Sequence, residues 1–228
     1  QKTAYEISTR DWSSDVCSSD LNERPLPCVA IPTTFGTGAE CAFSSAIIDS
    51  KTGERCSISH RLMVPQAVIL DPEPLDKLDP INVFSSGIDL FAHVFESYVS
   101  KKSNIFSRVE SSGLLHSIRG SLEASIGDGD RFAFEKLQVI AFLSGLLSSD
   151  SGFGVPHALA HSFGSHVDAL HGLSVALCLR DAIEFNKSAA GIDFQEVEWA
   201  MNLPKTGGSS IIEWLDALYK RAGFRSEE

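Results

Sequence analysis

Residues 157–172 read HALAHSFGSHVDALHG and place four histidines, His157, His161, His166 and His171, within fifteen residues. The chain has seven histidines in all, so a cluster of this density in an apolar stretch favours a functional site. A straight helix would separate His157 from His171 by about 21 Å, at about 1.5 Å per residue. Ligands of one metal ion lie roughly 4 Å apart or less. If both histidines bind one ion, the chain must turn between them, near Gly164 or within residues 168–172.

His157 and His161 also have the four-residue spacing of the histidine pair in zinc metalloproteases. Those sites need a glutamate directly after the first histidine, where it acts as general base. Ala158 stands at that position here, so the metalloprotease interpretation is not favoured.

A second candidate pair lies upstream in GIDLFAHVFESYVS, residues 87–100. Asp89 and His93 are four residues apart, and on a helix such side chains lie one above the other. Asp79-Pro80 is typical of a helix start, and the apolar residues that follow it at helical spacing predict one buried face: Phe84, Ile88, Phe91, Phe95 and Tyr98. Taken alone, the Asp/His pair is weak, because a surface Asp near a His is more common than a metal site.

The chain changes character near residue 72. Before it, short apolar runs at 26–33, 43–49, 56–60 and 67–70 predict strands, with a turn at 51–53. After it, helical periodicity predicts helices at about 105–124, 130–149 and 156–186, and Ser210 to Glu213 resembles a capping box that opens a last helix. The sequence therefore predicts the end of an α/β domain, residues 22–72, followed by an all-α domain, residues 73–224.

The first predicted strand runs into PTTFGTGAE, residues 32–40. Glycines permit close backbone approach, and amides and threonine hydroxyls can meet phosphate or ribose oxygens. The stretch is neither a GxGxxG fingerprint nor a P-loop, so by itself it is equally compatible with an ordinary turn.

Composition narrows the class of protein. The 228 residues carry a formal charge of −11, which argues against a general nucleic-acid binder, because such a protein needs basic residues to neutralise phosphates. There is no uninterrupted apolar run of about 18 residues, so we expect no membrane-spanning helix. The five cysteines are scattered without a CxxC pair, which fits a reducing cytoplasm.

Both ends of the chain differ from the rest. Residues 11–21, DWSSDVCSSDL, resemble a translated sequencing adapter, and residues 225–228, RSEE, resemble the opposite adapter. We therefore expect residues 1–21 and 225–228 to be non-native segments and exclude them from the fold prediction.

The motifs together resemble the iron-containing alcohol dehydrogenase family. PTTFGTGAE is similar to the family's nucleotide loop, VILDP (68–72) to its strand before the helical domain, GIDLFAHVFESYVS to its Asp/His helix, and HALAHSFGSHVDALHG to its histidine signature, followed by Phe185-Asn186. The resemblance covers most of residues 26–186 and implies a dehydroquinate synthase-like fold. It implies metal ligands at Asp89, His93, His157 and His171, and a non-ligand His161 near nicotinamide and substrate.

The resemblance also implies a cofactor and a reaction. Thr33, Thr34 and Thr37 fall on cofactor-contacting positions, and Arg55 stands where the family usually has a nucleotide-binding lysine. One carboxylate and three imidazoles suit Fe²⁺ and would accept Zn²⁺ or another divalent ion. The implied activity is NAD- or NADP-linked oxidation of a small alcohol or reduction of an aldehyde, in a cytoplasmic, homo-oligomeric parent protein with no nucleic-acid or membrane partner.

Three alternatives within the same fold stay open at this point: a glycerol dehydrogenase-like, a maleylacetate reductase-like or a dehydroquinate synthase-like enzyme. A further alternative concerns the chain itself. The Gly-rich pyrophosphate turn and the ribose-reading acidic residue expected of a dinucleotide-binding domain are not found in it, so we expect an inactive fragment that retains metal binding.

Overall fold

The computed structural model describes residues 26–48, 55–163, 169–188 and 192–224. Its strands form two small sheets. β1, Val29–Ala30, pairs in parallel with β4, Ala67–Val68. β2, Ser44–Ile48, pairs in antiparallel fashion with β3, Arg55–Ser59, with Ser44 opposite Ser59. The predicted turn at 51–53 and the predicted adapter segments lie outside the described residues.

The strands are located where the sequence predicts them, but β1 is shorter than residues 26–33. Val29 and Ile31, in and beside it, are more than half exposed. Only the two residues of β4 pair with β1 in the described part of the chain, so the apolar run has too few neighbours to continue the ladder.

Helices follow from residue 80 onward: α1, Pro80–Val99; α2, Ile105–Asp128; α3, Arg131–Ser151; α4, Val155–Phe163; α5, His171–Asn186; α6, Phe194–Ala200; and α7, Ser209–Ala222. The predicted order, an α/β segment followed by an all-α domain, is confirmed. The stretch predicted as helical over 156–186 contains two helices; the sequence predicts a break there only if His157 and His171 bind one ion. The apolar periodicity of the sequence does not predict α6.

α1 is the central helix and packs against α2, α3 and α5. Its start is as predicted, because the Asp79 carboxylate accepts a hydrogen bond of 2.9 Å from the Asn82 backbone N–H. All five residues of the predicted apolar face are buried. Burying an aromatic side chain of this kind contributes about 1.5–3 kcal/mol, so this face holds α1 in the middle of the domain.

The predicted capping box at Ser210 is wrong. α7 begins one residue earlier, at Ser209, with Gly208 as N-cap at φ 101°. The buried carboxylate of Glu198 holds the segment ahead of the helix, because it accepts hydrogen bonds from the backbone N–H groups of Thr206, Gly207 and Gly208. Two hydroxyls add further donors, Thr206 Oγ1 at 2.7 Å and Ser210 Oγ at 2.9 Å. Thr206 Oγ1 in turn accepts a hydrogen bond of 2.8 Å from the Ser210 backbone N–H, so Thr206, held by Glu198, caps the first turn of α7 in place of Glu213.

α3 includes a segment, Arg131–Ser149, that is long and apolar enough to cross a membrane by length and composition alone. Half of that segment is buried inside the protein, and α3 packs against both α1 and α2. This is the character of a core helix. The expectation that the protein has no membrane partner stays a prediction.

One buried side chain ties the strand-rich segment to α3. The amide of Gln138 is 2% exposed, and its Nε2 donates to the carbonyl oxygens of Asp71 at 3.0 Å and Pro32 at 3.3 Å. Because Pro32 follows β1 and Asp71 follows β4, one side chain from the helical part holds the ends of both strands.

Candidate metal centre

α1 presents three ionisable side chains along one face at steps of four and three residues: Asp89, His93 and Glu96. All three are buried, with at most 4% of each residue exposed. Charged groups are rarely buried unless they are paired or bind a metal. The sequence predicts Asp89 and His93 as ligands; it missed Glu96, although the same helical spacing could have found it.

α4 and α5 complete the cluster from the opposite side. His157 Nε2 lies 3.2 Å from Asp89 Oδ1, and His171 Nε2 lies 3.6 Å from the same oxygen. One ligand atom each of Asp89, His157 and His171 lies within 4.8 Å of the others. The rings of His157 and His171 are 5.6 Å apart, so the division of this stretch into α4 and α5 brings together residues that one continuous helix would separate.

His93 reaches the cluster in a different way. Its ring stacks on that of His157 at 4.3 Å with an interplanar angle of 12°, and its Nδ1 faces the carbonyl oxygen of Gly36 at 3.4 Å. The ring of His93 is therefore adjacent to the cluster, but its nitrogens are not among the ligand atoms of Asp89, His157 and His171 that lie within 4.8 Å of one another. Its role as fourth ligand stays a prediction.

The electrostatics of the cluster fit a bound cation. Burial raises the pKa of Asp89, but the imidazoles of His93 and His157 outweigh burial, with a smaller contribution from His171, and the pKa falls to about 2. Burial lowers the pKa of His157, but hydrogen bonds to Asp89 and Glu96 prevail and raise it to about 9. The ion pairs found for Asp89 and Glu96 in the described residues are with His157 and His171. The countercharge of these carboxylates is thus a proton on one of the two histidines or a cation beside them.

The pKa of His93 shifts in the opposite direction from that of His157. Burial is the largest influence on its pKa and lowers it to about 4, despite the nearby carboxylate of Asp89. The imidazole is therefore neutral at neutral pH, which is the form in which histidine binds metals. The donor set, one buried carboxylate with neutral imidazole available nearby, fits a divalent transition metal.

A close helix contact sets the position of His171. A Cβ added to the next residue, Gly172, would lie 2.0 Å from the carbonyl oxygen of Ser85 on α1. Because Asp89 follows Ser85 by one helical turn, this contact places the start of α5 directly beside Asp89. The histidine motif includes this glycine but does not by itself indicate the close contact with α1.

The predicted nucleotide loop, residues 32–40, lies against the same cluster. The ring of Phe35 is fully buried and packs on Phe134 at 5.9 Å. A Cβ on Gly36 would lie 3.1 Å from Asp89 Oδ2. Gly38 adopts φ 59° and presses its backbone onto Gly145 of α3, leaving no room for a side chain at either position. The loop is thus fixed to both the ligand helix and α3.

The three predicted cofactor-contacting threonines of this loop, Thr33, Thr34 and Thr37, are exposed. Thr37 Oγ1 accepts a hydrogen bond of 3.3 Å from the Ala39 backbone N–H. The fourth predicted cofactor residue, Arg55, begins β3, and its side chain lies outside the described part of the structure. Cofactor contact by all four residues stays a prediction.

His161 lies one turn after His157 on α4 and is partly exposed. Its ring packs edge-on against His171 at 5.1 Å and lies 6.4 Å from Phe153. It thus borders the cluster at a partly open position. The other described histidines have local roles: His60 accepts a hydrogen bond from the Leu62 N–H, and His116 Nδ1 faces the Ala200 carbonyl oxygen at 3.1 Å.

Comparison with known families gives two matches. The C-terminal model of the Fe-containing alcohol dehydrogenase family matches residues 83–227, and the iron-containing alcohol dehydrogenase model matches residues 3–72. The matches extend into the predicted adapter segments at both ends, so the boundaries at residues 21 and 225 stay predictions.

Curated relatives of the chain include alcohol dehydrogenases. The chain is 30% identical over 211 residues to the probable alcohol dehydrogenase EutG of Escherichia coli, covering 92% of the chain and 53% of that protein. It is 33% identical over 160 residues to the 1-propanol dehydrogenase PduQ of Citrobacter freundii, covering 70% of the chain and 43% of that protein. The chain therefore spans about half the length of the curated relatives it matches.

Among solved structures, a sulfoacetaldehyde reductase from Bifidobacterium kashiwanohense in complex with NAD⁺ superimposes with a TM-score of 0.82. The match covers 88% of this chain and 53% of that one, at 23% identity. At that identity the likeness shows the fold alone.

Proposed function

We propose a metal-dependent oxidoreductase function for this chain, which belongs to the iron-containing alcohol dehydrogenase family. The reaction is hydride transfer between NAD(P) and a small alcohol or aldehyde. The observation that carries the proposal is the buried cluster in which Asp89, His157 and His171 bring their ligand atoms within 4.8 Å of one another. The matched relatives include a propanol dehydrogenase and a lactaldehyde reductase.

Asp89, His157 and His171 would hold the metal, with His93 as a fourth ligand. When bound, a divalent metal supplies Lewis-acid polarisation of the substrate oxygen. Fe²⁺ is proposed from the family, and the donor set would also accept Zn²⁺. NAD⁺ in the sulfoacetaldehyde reductase structure supports NAD as the hydride carrier; NADP stays an alternative.

Each remaining residue contributes position or a proton. His161, which borders the cluster at a partly exposed position, would move the alcohol proton on a ring nitrogen. Thr33, Thr34 and Thr37 would hold the cofactor close to the ligands; their exposure on a loop whose backbone touches the cluster at Gly36 supports this. Arg55 would contribute a cationic contact to the nucleotide.

A second candidate concerns the 228-residue chain by itself: metal binding without turnover. It is favoured by the share of the curated relatives' length that the chain covers, 53% for EutG and 43% for PduQ. An alcohol-dependent rise in NADH absorbance from this chain alone would exclude it. A cytoplasmic location and a homo-oligomeric parent are likewise proposals.

The metal content of purified variants tests the proposed site. Loading with Fe²⁺ or Zn²⁺ and desalting should leave about one ion per chain in the wild type and much less in His171→Ala. His116→Ala is the matched control, because it removes an exposed histidine of α2 and should leave the metal content unchanged. Equal metal content in all three proteins would refute the proposed site.

A further inference from the structure

The carboxylate of Glu96 accepts hydrogen bonds from three N–H groups of one neighbouring segment, residues 154–157. The Gly154 N–H donates to Oε2 at 2.9 Å, the His157 backbone N–H donates to Oε1 at 3.3 Å, and His157 Nδ1 lies 2.7 Å from Oε2. Two of these donors belong to the N-terminal end of α4, where unpaired backbone N–H groups favour a negative charge. Glu96 is 2% exposed, so water does not compete for it.

The geometry points to Glu96 as the positioning residue of this centre: its carboxylate fixes the ring orientation and tautomer of His157, with Nδ1 protonated and Nε2 directed at the cluster. This inference rests on the proposed function, since it concerns how a metal ligand is held. An ionised carboxylate can only accept hydrogen bonds. His157 Nδ1 must therefore carry the proton it donates, which leaves Nε2, 3.2 Å from Asp89 Oδ1, as the nitrogen available for a metal.

The same carboxylate also positions the backbone of the ligand. Because Glu96 accepts hydrogen bonds from both Gly154 and His157, it attaches the first turn of α4 to α1, about one helical turn after His93. Gly154 lies close enough that a Cβ there would be 3.1 Å from Glu96 Cδ. One side chain thus sets the start of the helix, the ring orientation and the tautomer of the same histidine. Removal of such a hydrogen-bond partner generally lowers metal affinity about 10–100-fold.

The variant Glu96→Gln tests whether the hydrogen bonds that Glu96 accepts position His157, or whether filling the space of the side chain is sufficient. A glutamine has nearly the same shape, but its amide nitrogen donates and cannot accept. In one orientation the amide oxygen accepts from the Gly154 N–H and from His157 Nδ1, but the NH₂ group then faces the His157 backbone N–H, which is also a donor. In the other orientation its NH₂ group donates to Nδ1, which moves the ring proton to Nε2 and removes the metal-binding lone pair.

Glu198→Gln is the matched control. Glu198 is also a fully buried carboxylate that accepts backbone N–H groups ahead of a helix. Its hydrogen-bond partners lie in residues 206–210, and none is a residue of the metal cluster. The variant Glu198→Gln therefore shows how much the loss of a buried negative charge by itself affects the measured metal affinity.

The first measurement is Zn²⁺ affinity of the 228-residue chain by competition with a chromophoric chelator. Glu96→Gln should bind about 10–100-fold more weakly than the wild type, and Glu198→Gln should bind within about twofold of it. The second is the long-range ¹H–¹⁵N spectrum of the Zn²⁺-loaded chain. The wild type and Glu198→Gln should show His157 with a protonated Nδ1 and a metal-bound Nε2, and Glu96→Gln should lose that signature.

The outcomes are distinguishable. A wild-type chain that binds no Zn²⁺ refutes the proposed function. A wild type that binds Zn²⁺, with Glu96→Gln equal to it in affinity and in the His157 signature, overturns the inference and leaves the proposed function standing. If Glu96→Gln does not fold by circular dichroism, Glu96→Asp replaces it, with weaker binding expected in the same direction. Failure of both to fold while Glu198→Gln folds would make Glu96 a folding requirement and overturn its positioning role.

Discussion

Gly172→Ala should separate α5 from α1 and release His171 from the centre. The added Cβ would lie 2.0 Å from the Ser85 carbonyl oxygen and 2.6 Å from its carbon, both backbone atoms that no rotamer change can remove. Ordinary contacts begin at 3.4 Å, so the two backbones must part by about 1.4 Å. Metal–ligand distances are tolerated only within about 0.2 Å, and His171 is the first residue of α5. We therefore expect metal retention to fall to the level of His171→Ala.

The same clash should also destabilise the domain. Overpacking of this kind costs about 1–3 kcal/mol in the free energy of unfolding, which urea denaturation monitored by circular dichroism would measure. Gly120→Ala is the matched control. Gly120 lies within α2 and is exposed, and a Cβ there would meet nothing within 4 Å. That variant should gain about 0.5–1 kcal/mol, because alanine is the better helix former, and keep its metal.

Wild-type stability and metal content in Gly172→Ala would refute this reasoning. It would show that the α1–α5 contact adjusts without cost, and that close approach at Ser85 does not position His171. Loss of stability with full metal retention would also contradict it, because the strain would then be absorbed away from the ligand.

Two further predictions concern buried polar contacts away from the centre. Burial raises the pKa of Glu198, but hydrogen bonds led by that of Thr206 outweigh burial and hold the pKa below its usual 4.5. The stabilisation by this carboxylate should therefore be complete above pH 4.5 and disappear as the pH falls through the lower pKa of the folded chain. Glu198→Gln should cost about 1–3 kcal/mol at neutral pH, and its deficit relative to wild type should shrink on acidification in urea titrations; a deficit independent of pH would contradict this. Gln138→Ala should cost about 1–3 kcal/mol by leaving the Pro32 and Asp71 carbonyl oxygens without their donor, and it should increase hydrogen exchange in residues 29–30 and 67–68; unchanged exchange there would show that Gln138 does not hold the strands.

Much of the fold follows from local patterns in the sequence. The apolar spacing of α1 and the Asp79-Pro80 start predict that helix correctly, because its face is buried against neighbours on several sides. The distance between His157 and His171 predicts a break between α4 and α5 if both histidines bind one ion, whereas the apolar periodicity alone predicts one helical stretch. The strand at residues 26–33 is predicted too long because strand length depends on partners, and the apolar run itself does not reveal that β4 offers only two paired residues.

The remaining features depend on contacts between residues distant in sequence. The segment ahead of α7 is held by Glu198, ten residues before Gly208 and in a different helix. The Ser210 N–H is capped by Thr206, so the nearby Glu213 gives a misleading signal. The requirement for glycine at position 172 depends on Ser85, which is remote along the chain. Glu96 is the instructive case, because its helical spacing from Asp89 and His93 was present in the sequence, but its partners on α4 become evident only in the folded structure.

The most direct test of the central claim is the anomalous diffraction of a crystal of this chain grown with Zn²⁺. We expect one strong anomalous peak within about 2.0–2.2 Å of a carboxylate oxygen of Asp89 and ring nitrogens of His157 and His171, with His157 Nδ1 still directed at Glu96. A Zn²⁺-loaded crystal with no peak among these residues, or with the peak bound by other histidines, would contradict it.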